Sequence, residues 1–496
     1  MGNRAEILPA FNQTGGTDLT VLFYTGINLY EKREEMMEKT ITFFVSRFTP
    51  MKLEETITVS RTMKRLTVTS ETDWKGYIVI RDEKNRIRLL RMRGYGDEDI
   101  VIAGHASHTS PGGVPGPVGA GRWKICLYLL PEFYETIPEG ETIPLRIHMT
   151  GEKRKLQETM GSKVWVDRHY REQLWLGYYN SKEFYNSQDG WYLAALHTRT
   201  RMSGGECTIR EAVKGAKKEG IDVYVPTEKN VVATGWKDSS LMTVPGVEIS
   251  AGGTEFGLIG IDKMPERLEE ILETSDTEES RQYLYETVRE AVKRGWILNL
   301  EHPFRDGDEW DQNVIPVSAL TCLDLGESQE EFRKTSAFLD QMWEQGRRIW
   351  AVREKGTLVH CEALTPEVFL DNLRKGHIIW AGNRKSELKI RSDGQKYLPG
   401  DGLMDQDRKI KIRLYIESAG KPEAVVVHNG KRIQMDIVQT QSGWKGEKEI
   451  RFYKGTWNWA RVEALHPQKG LLFYSSPVWQ GERVPSDERP GIKTPE

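Results

Sequence analysis

The chain has 496 residues, of which 38% are hydrophobic and 29% are charged. At roughly 100 to 200 residues per domain, this length predicts about three domains. The 70 lysines and arginines nearly balance the 73 aspartates and glutamates, which leaves a formal net charge of -3. Because no strong overall positive field exists, we expect neither nucleic acid nor a membrane surface as an obligate partner.

The sequence lacks the patterns of membrane insertion and secretion. No apolar run approaches the roughly 18 residues of a transmembrane helix, and the N-terminal segment lacks the basic-then-apolar order of a signal peptide. We therefore expect a cytoplasmic protein. The cysteines are far apart and form no Cys-x-x-Cys pair, so free thiols are predicted for all four: Cys126, Cys207, Cys322 and Cys361.

Residues 17–151 have the pattern of an antiparallel β domain. Short β-branched and aromatic runs such as LTVLFY, GYIVIR and WKICLYLL alternate with turn-forming residues. The segment SPGGVPGPVGAG, just before Arg122, predicts a long loop. This loop lacks the Gly-Lys-Ser or Gly-Lys-Thr ending of a phosphate-binding P-loop. Residues 152–188 are charged and aromatic without a clean period, and we interpret them as a connector.

Residues 189–388 change to short apolar runs that alternate with amphipathic helical segments. One helix begins after Thr208, which forms a capping box with Glu211, and it ends at Gly220. The strand IDVYVP follows at once, and further strand–helix units run through WILNL, SALTCLDL and RIWAV. This alternation predicts an α/β fold whose parallel sheet closes, or nearly closes, into a barrel.

The C-terminal part of the sequence returns to β character. Residues 389–480 contain runs such as KIKIRLYIES, EAVVVHNG and NWARVEAL, which fit a second, smaller β-sandwich-like domain. Residues 481–496 are charged and rich in proline, and we expect this tail to be disordered.

Polar residues follow the apolar runs at several predicted strand ends. In a barrel of parallel strands, functional groups gather at the C-terminal ends of the strands. Imidazoles and carboxylates that converge there are the donor set of a metal such as Zn or Mn. The candidates are His197, Glu228, Lys229, Glu248, Glu255, His302, Asp324 and His360.

Seven short motifs resemble, in their order along the chain, the PHP (polymerase and histidinol phosphatase) domain. They are ALHT, TIREAVKGAKKEGID, TEKN, PGVEIS, GGTEFGLIG, EHPF and GTLVH. The later segments LTPEVFLDNLRKGHIIWAG, PGDGL and WNWARVEAL are similar, more narrowly, to CehA/McbA-type metallohydrolases. The resemblance covers most of the chain. It implies a PHP-type distorted (β/α) barrel flanked by an N-terminal β domain and a C-terminal β-sandwich-like domain.

The resemblance also implies a metal site, from which this chain departs at several ligand positions. The residues that keep a ligand type are His197, Glu248, His302 and His360, and those that depart from the family pattern are Ala195, Gly204, Lys229, Glu255 and Leu358. Only one implied metal position keeps three side chains that can coordinate, namely Glu248, Glu255 and His302. We therefore expect at most one divalent ion there, Zn or Mn, with a metal-free chain as the alternative.

The roles of the remaining candidates follow from this implied site. A bound ion would activate water as the nucleophile. His197 or His360 would act as general base or leaving-group acid, because an imidazole titrates near neutral pH. Lys229, Arg199 and Arg305 would hold an anionic substrate or stabilise a developing oxyanion. The resemblance implies hydrolysis of a small phosphoester, carboxylic ester or carbamate-like bond.

A catalytically inactive, PHP-like pseudoenzyme that binds a ligand or partner is the alternative function. Ala195, Gly204 and Leu358 favour it, because none of these side chains can bind a metal. In this interpretation the polar residues at the strand ends form a structural network, and Lys229 is an ordinary ion-pair partner of a neighbouring glutamate.

Overall fold

The computed structural model describes residues 37–94, 99–151, 158–169, 173–236, 241–274, 278–305, 310–468 and 470–485. Strands contain 41% of the residues and helices contain 17%, so the fold is mostly β. The expected α/β class with a closed PHP-type (β/α) barrel is therefore wrong, because the described strands form open sheets. The expected disorder of the tail concerns residues that lie largely outside the described ranges. None of the described helices is long and apolar enough to cross a membrane.

The N-terminal region consists of two four-stranded antiparallel sheets. Its elements are β1 (Glu38–Val45), β2 (Lys52–Val59), β3 (Arg65–Ser70), β4 (Gly76–Arg81), β5 (Ile87–Arg93), β6 (Ile100–Ala103), β7 (Gly121–Leu129), α1 (Pro131–Glu135) and β8 (Ile143–Thr150). The strand orders are β1-β8-β3-β6 and β2-β7-β4-β5. Apolar side chains from both sheets, including Val68, Ile80 and Trp123, share one buried core, which is how two packed sheets exclude water.

The central region combines short strands with most of the helices. Its strands are β9 (Lys163–Val164), β10 (Gly190–Ala195), β11 (Val223–Tyr224), β12 (Gly235–Trp236), β13 (Met242–Thr243), β14 (Gly246–Ala251), β15 (Thr254–Ile259), β16 (Ile297–Leu300), β17 (Cys322–Asp324), β18 (Trp350–Val352), β19 (Lys355–Cys361) and β20 (Ile378–Ala381). Its helices are α2 (Ile209–Glu219), α3 (Leu268–Glu273), α4 (Glu278–Arg294), α5 (Gln329–Glu344) and α6 (Pro366–Lys375). The predicted capping box of Thr208 and Glu211 at the start of α2 is confirmed.

The central region contains two open sheets instead of the predicted barrel. One contains β13-β11-β10-β19-β20 and continues into C-terminal strands, and the other has the order β14-β15-β16-β17-β18. Several neighbours in these sheets run antiparallel, among them β10 with β19, β14 with β15, and β15 with β16. A hairpin whose turn holds Gly252 and Gly253 at positive φ joins β14 to β15 without a helix. A closed parallel barrel needs a crossover at each such step, and this sequence supplies a tight turn instead.

The C-terminal region adds strands on both sides of a shared core. They are β21 (Glu387–Ser392), β22 (Gln395–Tyr397), β23 (Gly402–Leu403), β24 (Arg408–Ile416), β25 (Glu423–His428), β26 (Lys431–Gln434), β27 (Asp436–Gln439), β28 (Trp444–Phe452), β29 (Asn458–His466), β30 (Gly470–Ser475) and β31 (Val478–Gln480). One sheet has the order β22-β21-β24-β28-β27, while β30 pairs with β20 of the central region. Ile412 of β24 and Val462 of β29 lie in the same buried cluster, so the two sheets face each other.

The cysteine prediction is confirmed. All four cysteines are free, and Cys126, Cys322 and Cys361 are buried. Burial raises the pKa of Cys126 and of Cys361 to about 12. These thiols therefore stay protonated at neutral pH and serve as small apolar side chains.

Candidate metal centre

Three buried side chains from the two central sheets converge, two of them just after a strand and one within a strand. His197 follows β10, Glu248 lies in β14, and Glu301 follows β16. His197 Nε2 is 2.8 Å from Glu248 Oε2 and 3.3 Å from Glu301 Oε2. One ligand atom from each residue lies within 4.8 Å of the others, and no other such group occurs among the described residues. This imidazole and these two carboxylates could hold a metal ion.

The pairing of β14, β15 and β16 explains how the two carboxylates meet. Glu248 pairs with Gly257, and Gly257 pairs with Asn299. Glu301 lies two residues beyond Asn299, so both side chains point to the same face. A Cβ added to Gly257 would lie 2.6 Å from Glu301 Oε1. Gly257 therefore leaves open the space into which the Glu301 carboxylate extends.

Several polar atoms of this cluster are buried without a hydrogen-bond partner among the described residues. They are Glu248 Oε1, Glu301 Oε1, Glu301 Oε2 and His302 Nδ1. Burial of two carboxylates beside a single imidazole carries a large desolvation penalty, because His197 does not satisfy all of their oxygens. A divalent cation bound to these oxygens would offset that penalty, so the residues present fit a metal ion.

The charges of His197 and Glu301 depend on each other. Burial alone would lower the pKa of His197, but the carboxylates of Glu301 and Glu248 outweigh burial and raise it to about 9. Burial raises the pKa of Glu301, His197 opposes this effect, and Glu248 and Asp324 add to it. Without a metal, His197 therefore carries a proton at neutral pH. A metal ion and that proton compete for Nε2.

Of the three metal ligands predicted from the sequence, only Glu248 belongs to this group. Glu255 accepts hydrogen bonds from Lys229 Nζ at 2.8 Å and from Ser250 Oγ at 3.1 Å. Burial would raise the pKa of Glu255, but the Lys229 cation lowers it below the usual range. His302 is a close neighbour, since its ring centroid lies 6.1 Å from that of His197. Glu255 thus belongs to an ion pair at the side of the cluster.

The two predicted substrate-binding arginines lie next to the cluster. Arg199 Nε is 3.7 Å from Glu248 Oε2, and its side chain is 40% exposed. Arg305 is exposed, and its backbone N–H donates to the His302 carbonyl at 3.2 Å. Arg199 therefore borders the buried carboxylates directly, whereas the contact shown for Arg305 is a turn of the backbone.

The structure does not bring His360 to this cluster. Because β19 runs antiparallel to β10, His360 pairs with Trp191 at the start of β10, whereas His197 follows its end. Six residues of extended strand separate these positions by about 20 Å. His360 Nε2 instead lies 3.4 Å from Asp189 Oδ1, and burial lowers the pKa of this imidazole. If β19 ran parallel to β10, as the sequence predicted, His360 would lie at the same end of the sheet as His197.

Sequence reasoning did not select Glu301, although the strand pattern contained a signal for it. Within the EHPF motif, the resemblance implies that the histidine, His302, is the metal ligand, and not the preceding Glu301. In β16, however, Asn299 and Glu301 alternate with the apolar Leu298 and Leu300, and this period of two places Glu301 on the same face as Asn299.

Two further candidate carboxylates are buried. Glu228 accepts hydrogen bonds from Thr200 Oγ1 at 2.7 Å and from Ser203 Oγ at 2.5 Å, which fixes the loop after His197. Burial raises the pKa of Glu228 and also that of Asp324. Asp324 Oδ1 accepts from the Gly326 N–H at 2.6 Å. Both carboxylates thus have structural partners on neighbouring loops.

A pocket opens beside the cluster, and its lining includes Glu255, Glu301, His302 and Trp310. This pocket has a volume of about 20 Å³, room for about one water molecule, and borders the Glu301 side of the candidate metal centre. In comparisons with known proteins, no protein-family model and no curated protein matches the chain. The resemblance to PHP and CehA/McbA-type proteins therefore stays a prediction from sequence motifs.

Proposed function

We propose that the chain is a metal-dependent hydrolase of small esters, with a single-ion centre held by His197, Glu248 and Glu301. The observation that carries this proposal is the convergence of one imidazole nitrogen with two buried carboxylates, of which Glu248 Oε1 and Glu301 Oε1 have no hydrogen-bond partner among the described residues. Three protein ligands leave positions for water and substrate, as in catalytic zinc sites. Zn and Mn both suit nitrogen and carboxylate donors.

A divalent ion held by His197, Glu248 and Glu301 would activate water as a nucleophile at neutral pH. The residues of the chain would bind and orient the ester. Arg199, exposed beside Glu248, offers a guanidinium to an anionic substrate group or a developing oxyanion. His302 Nδ1 lies beside the cluster and has no hydrogen-bond partner among the described residues, so it is placed to accept or return a proton. The substrate class remains phosphoester, carboxylic ester or carbamate-like.

A catalytically inactive scaffold is the second candidate, and the ion pair of Lys229 with Glu255 favours it. This pair, at 2.8 Å, neutralises one carboxylate of the site without a metal. Ala195 and Leu358 also lie in the hydrophobic core, where they contribute packing. On this hypothesis the hydrogen bond between His197 and Glu248 only connects two strand ends.

Metal content separates the two candidates. Protein purified without chelator, and again after equilibration with Mn or Zn, would be analysed by mass spectrometry. We expect about one ion per chain, a loss of that ion in Glu301→Gln, and its retention in Glu255→Gln. The Glu255→Gln variant is a matched control, because it removes a neighbouring carboxylate that Lys229 already neutralises.

The other possible results of the metal-content measurement would decide between the ligand sets and between the two candidate functions. A loss of metal in Glu255→Gln but not in Glu301→Gln would support the ligand set predicted from the sequence. No metal under any condition would contradict the hydrolase proposal and favour the scaffold. If metal binds, p-nitrophenyl phosphate and p-nitrophenyl acetate would be tested as substrates, with Glu301→Gln as the inactive reference.

A further inference from the structure

A separate pocket lies in the N-terminal region and shares no lining residue with the pocket beside the candidate metal centre. It is a cavity of about 220 Å³ bounded by the turn between β4 and β5, by the glycine- and proline-rich loop, and by Arg168. Its basic lining residues are Lys84, Arg86, Arg88 and Arg168. This concentration of cations is unlike the balanced charge of the whole chain.

The turn between β4 and β5 is organised around Asp82. Asp82 Oδ1 accepts hydrogen bonds from the backbone N–H groups of Lys84 and Arg86, both at 3.0 Å. Asp82 Oδ2 accepts from Arg86 Nη2 at 2.6 Å. Arg86 Nη1 also donates to the Arg168 carbonyl at 3.1 Å, which fixes Arg168 against the turn. The basic side chains are therefore held on a defined backbone.

Arg88 is 3% exposed and is surrounded mainly by neutral acceptors. Its guanidinium donates to the carbonyl oxygens of Gly116 at 2.8 Å and Pro117 at 2.9 Å. The nearest carboxylate oxygen given for it is Asp82 Oδ2, at 3.6 Å, and Arg86 already binds that atom. Burial accordingly lowers the pKa of Arg88 to about 10. Arg88 and Arg86 therefore share the carboxylate of Asp82.

Gly116 leaves space between two guanidinium groups. A Cβ added to this residue would lie 3.5 Å from Arg88 Nη2 and 3.7 Å from Arg168 Nη1. The two guanidinium groups therefore lie within van der Waals reach of the same position in the loop. Among the described residues, four cations and the carboxylate of Glu83 line this pocket, and Asp82 forms ion pairs with Arg86 and Arg88. Two positive charges remain in excess.

We propose that this pocket binds a small dianionic phosphate group, either inorganic phosphate or the phosphate of a small monoester. Its two excess positive charges match the charge of a phosphate near neutral pH. The exposed Arg168 guanidinium offers paired N–H donors to phosphate oxygens, whereas Arg86 and Arg88 contribute positive charge while their N–H groups bind Asp82 and backbone carbonyls. The volume corresponds to about seven water molecules in the liquid, which accommodates a phosphate and a few further atoms. The inference is independent of the proposed hydrolase.

The test is calorimetric titration of the full-length chain with inorganic phosphate at constant ionic strength, in the presence of chelator. We expect a dissociation constant of about 1 mM or tighter, and a weakening of about tenfold or more in Arg168→Ala. Arg168 is exposed, so its loss should leave the fold intact, which circular dichroism would verify. Arg391→Ala removes another exposed arginine, on β21, and should bind phosphate like the wild type.

Three results would overturn the proposal: no binding up to about 10 mM phosphate, equal affinity in Arg168→Ala and the wild type, or equally tight binding of the monoanion acetate. Glu301→Gln should bind phosphate unchanged, and a loss in that variant would assign the signal to the candidate metal centre instead. Titration with glycerol phosphate distinguishes inorganic phosphate from a phosphate monoester as the ligand. Tighter binding of this monoester than of inorganic phosphate would identify an esterified ligand, and the reverse order would identify the free ion.

Discussion

The Glu301 carboxylate occupies the space that a side chain at position 257 would need, because a Cβ on Gly257 would lie 2.6 Å from Glu301 Oε1. Gly257 pairs with Glu248 on one side and with Asn299 on the other. It therefore lies between the strands that carry the two carboxylates of the candidate metal centre. The position of a candidate ligand thus depends on a glycine that itself cannot bind a metal.

Gly257→Ala should weaken metal binding without unfolding the chain. The added methyl group would displace the end of the Glu301 side chain, and a displaced ligand or support typically costs 10- to 100-fold in affinity, roughly. Competition titration with a chromogenic chelator would measure the affinity for Zn or Mn. Gly190→Ala is the matched control, because a Cβ there meets no atom within 4 Å. Equal affinity in Gly257→Ala and the wild type would argue against Glu301 as a ligand.

Lys229→Gln should strengthen metal binding. Lys229 places a cation 2.8 Å from Glu255, beside the candidate metal centre. Removal of a positive charge near a bound divalent cation reduces repulsion, for which we expect an increase in affinity of several-fold, on the order of 1 kcal/mol. Lys214→Gln, an exposed substitution on α2, provides the control for a change in net charge alone. Weaker binding in Lys229→Gln would show instead that the ion pair supports the geometry of the centre.

The features predicted correctly from the sequence are those that depend on near neighbours in the chain. The capping box at the start of α2 involves Thr208 and Glu211, three residues apart, and the structure contains both of its hydrogen bonds. His197 follows an apolar run and Glu248 lies within one, so the burial of both could be inferred from local patterns, although only His197 follows the end of its strand. Such rules need no knowledge of which strands pair.

The features that could not be predicted depend on long-range pairing. An alternation of strands and helices does not specify that β19 runs antiparallel to β10, yet this direction separates His360 from His197. The missing barrel closure has the same origin, since β20 pairs with β30, a strand almost one hundred residues later. Glu301 lies beside Glu248 because β15, through Gly257, pairs with both β14 and β16, a long-range pairing that no local pattern specifies.

Acid should weaken the connection between α5 and the C-terminal sheet through Glu463. Buried Arg461 donates to Asp340 Oδ1 and to Glu463 Oε2, both at 2.8 Å. Burial would raise the pKa of Glu463, but Arg461 and Arg432 outweigh burial and lower it. A carboxyl group with a lowered pKa in the folded state stabilises the fold above its unfolded-state pKa. That contribution is lost as the pH falls through the folded-state pKa.

The midpoint of thermal unfolding should therefore fall as the pH decreases below about 4.5, the ordinary glutamate value. Glu463→Gln should have a lower midpoint at neutral pH and a flatter dependence in this acid range, because it cannot lose a charge. Glu449→Gln, an exposed substitution on β28, should follow the wild-type profile. Parallel profiles for Glu463→Gln and the wild type would show that Glu463 does not contribute to the acid response.

Glu158→Ala should loosen the first turn of α2, the helix that follows the loop after His197. Buried Glu158 accepts a hydrogen bond from the Ile209 N–H at 2.6 Å, a second anchor beside the Thr208 cap. Its removal leaves a helix N-terminal donor unpaired and withdraws a carboxylate from the positive end of the helix dipole. We expect a local cost of about 1 to 2 kcal/mol. Hydrogen exchange at the Ala212 amide should accelerate by roughly 5- to 30-fold. Thr208→Ala should have an effect of similar size, about 1 kcal/mol, and unchanged exchange in Glu158→Ala would show that Thr208 alone maintains this end of the helix.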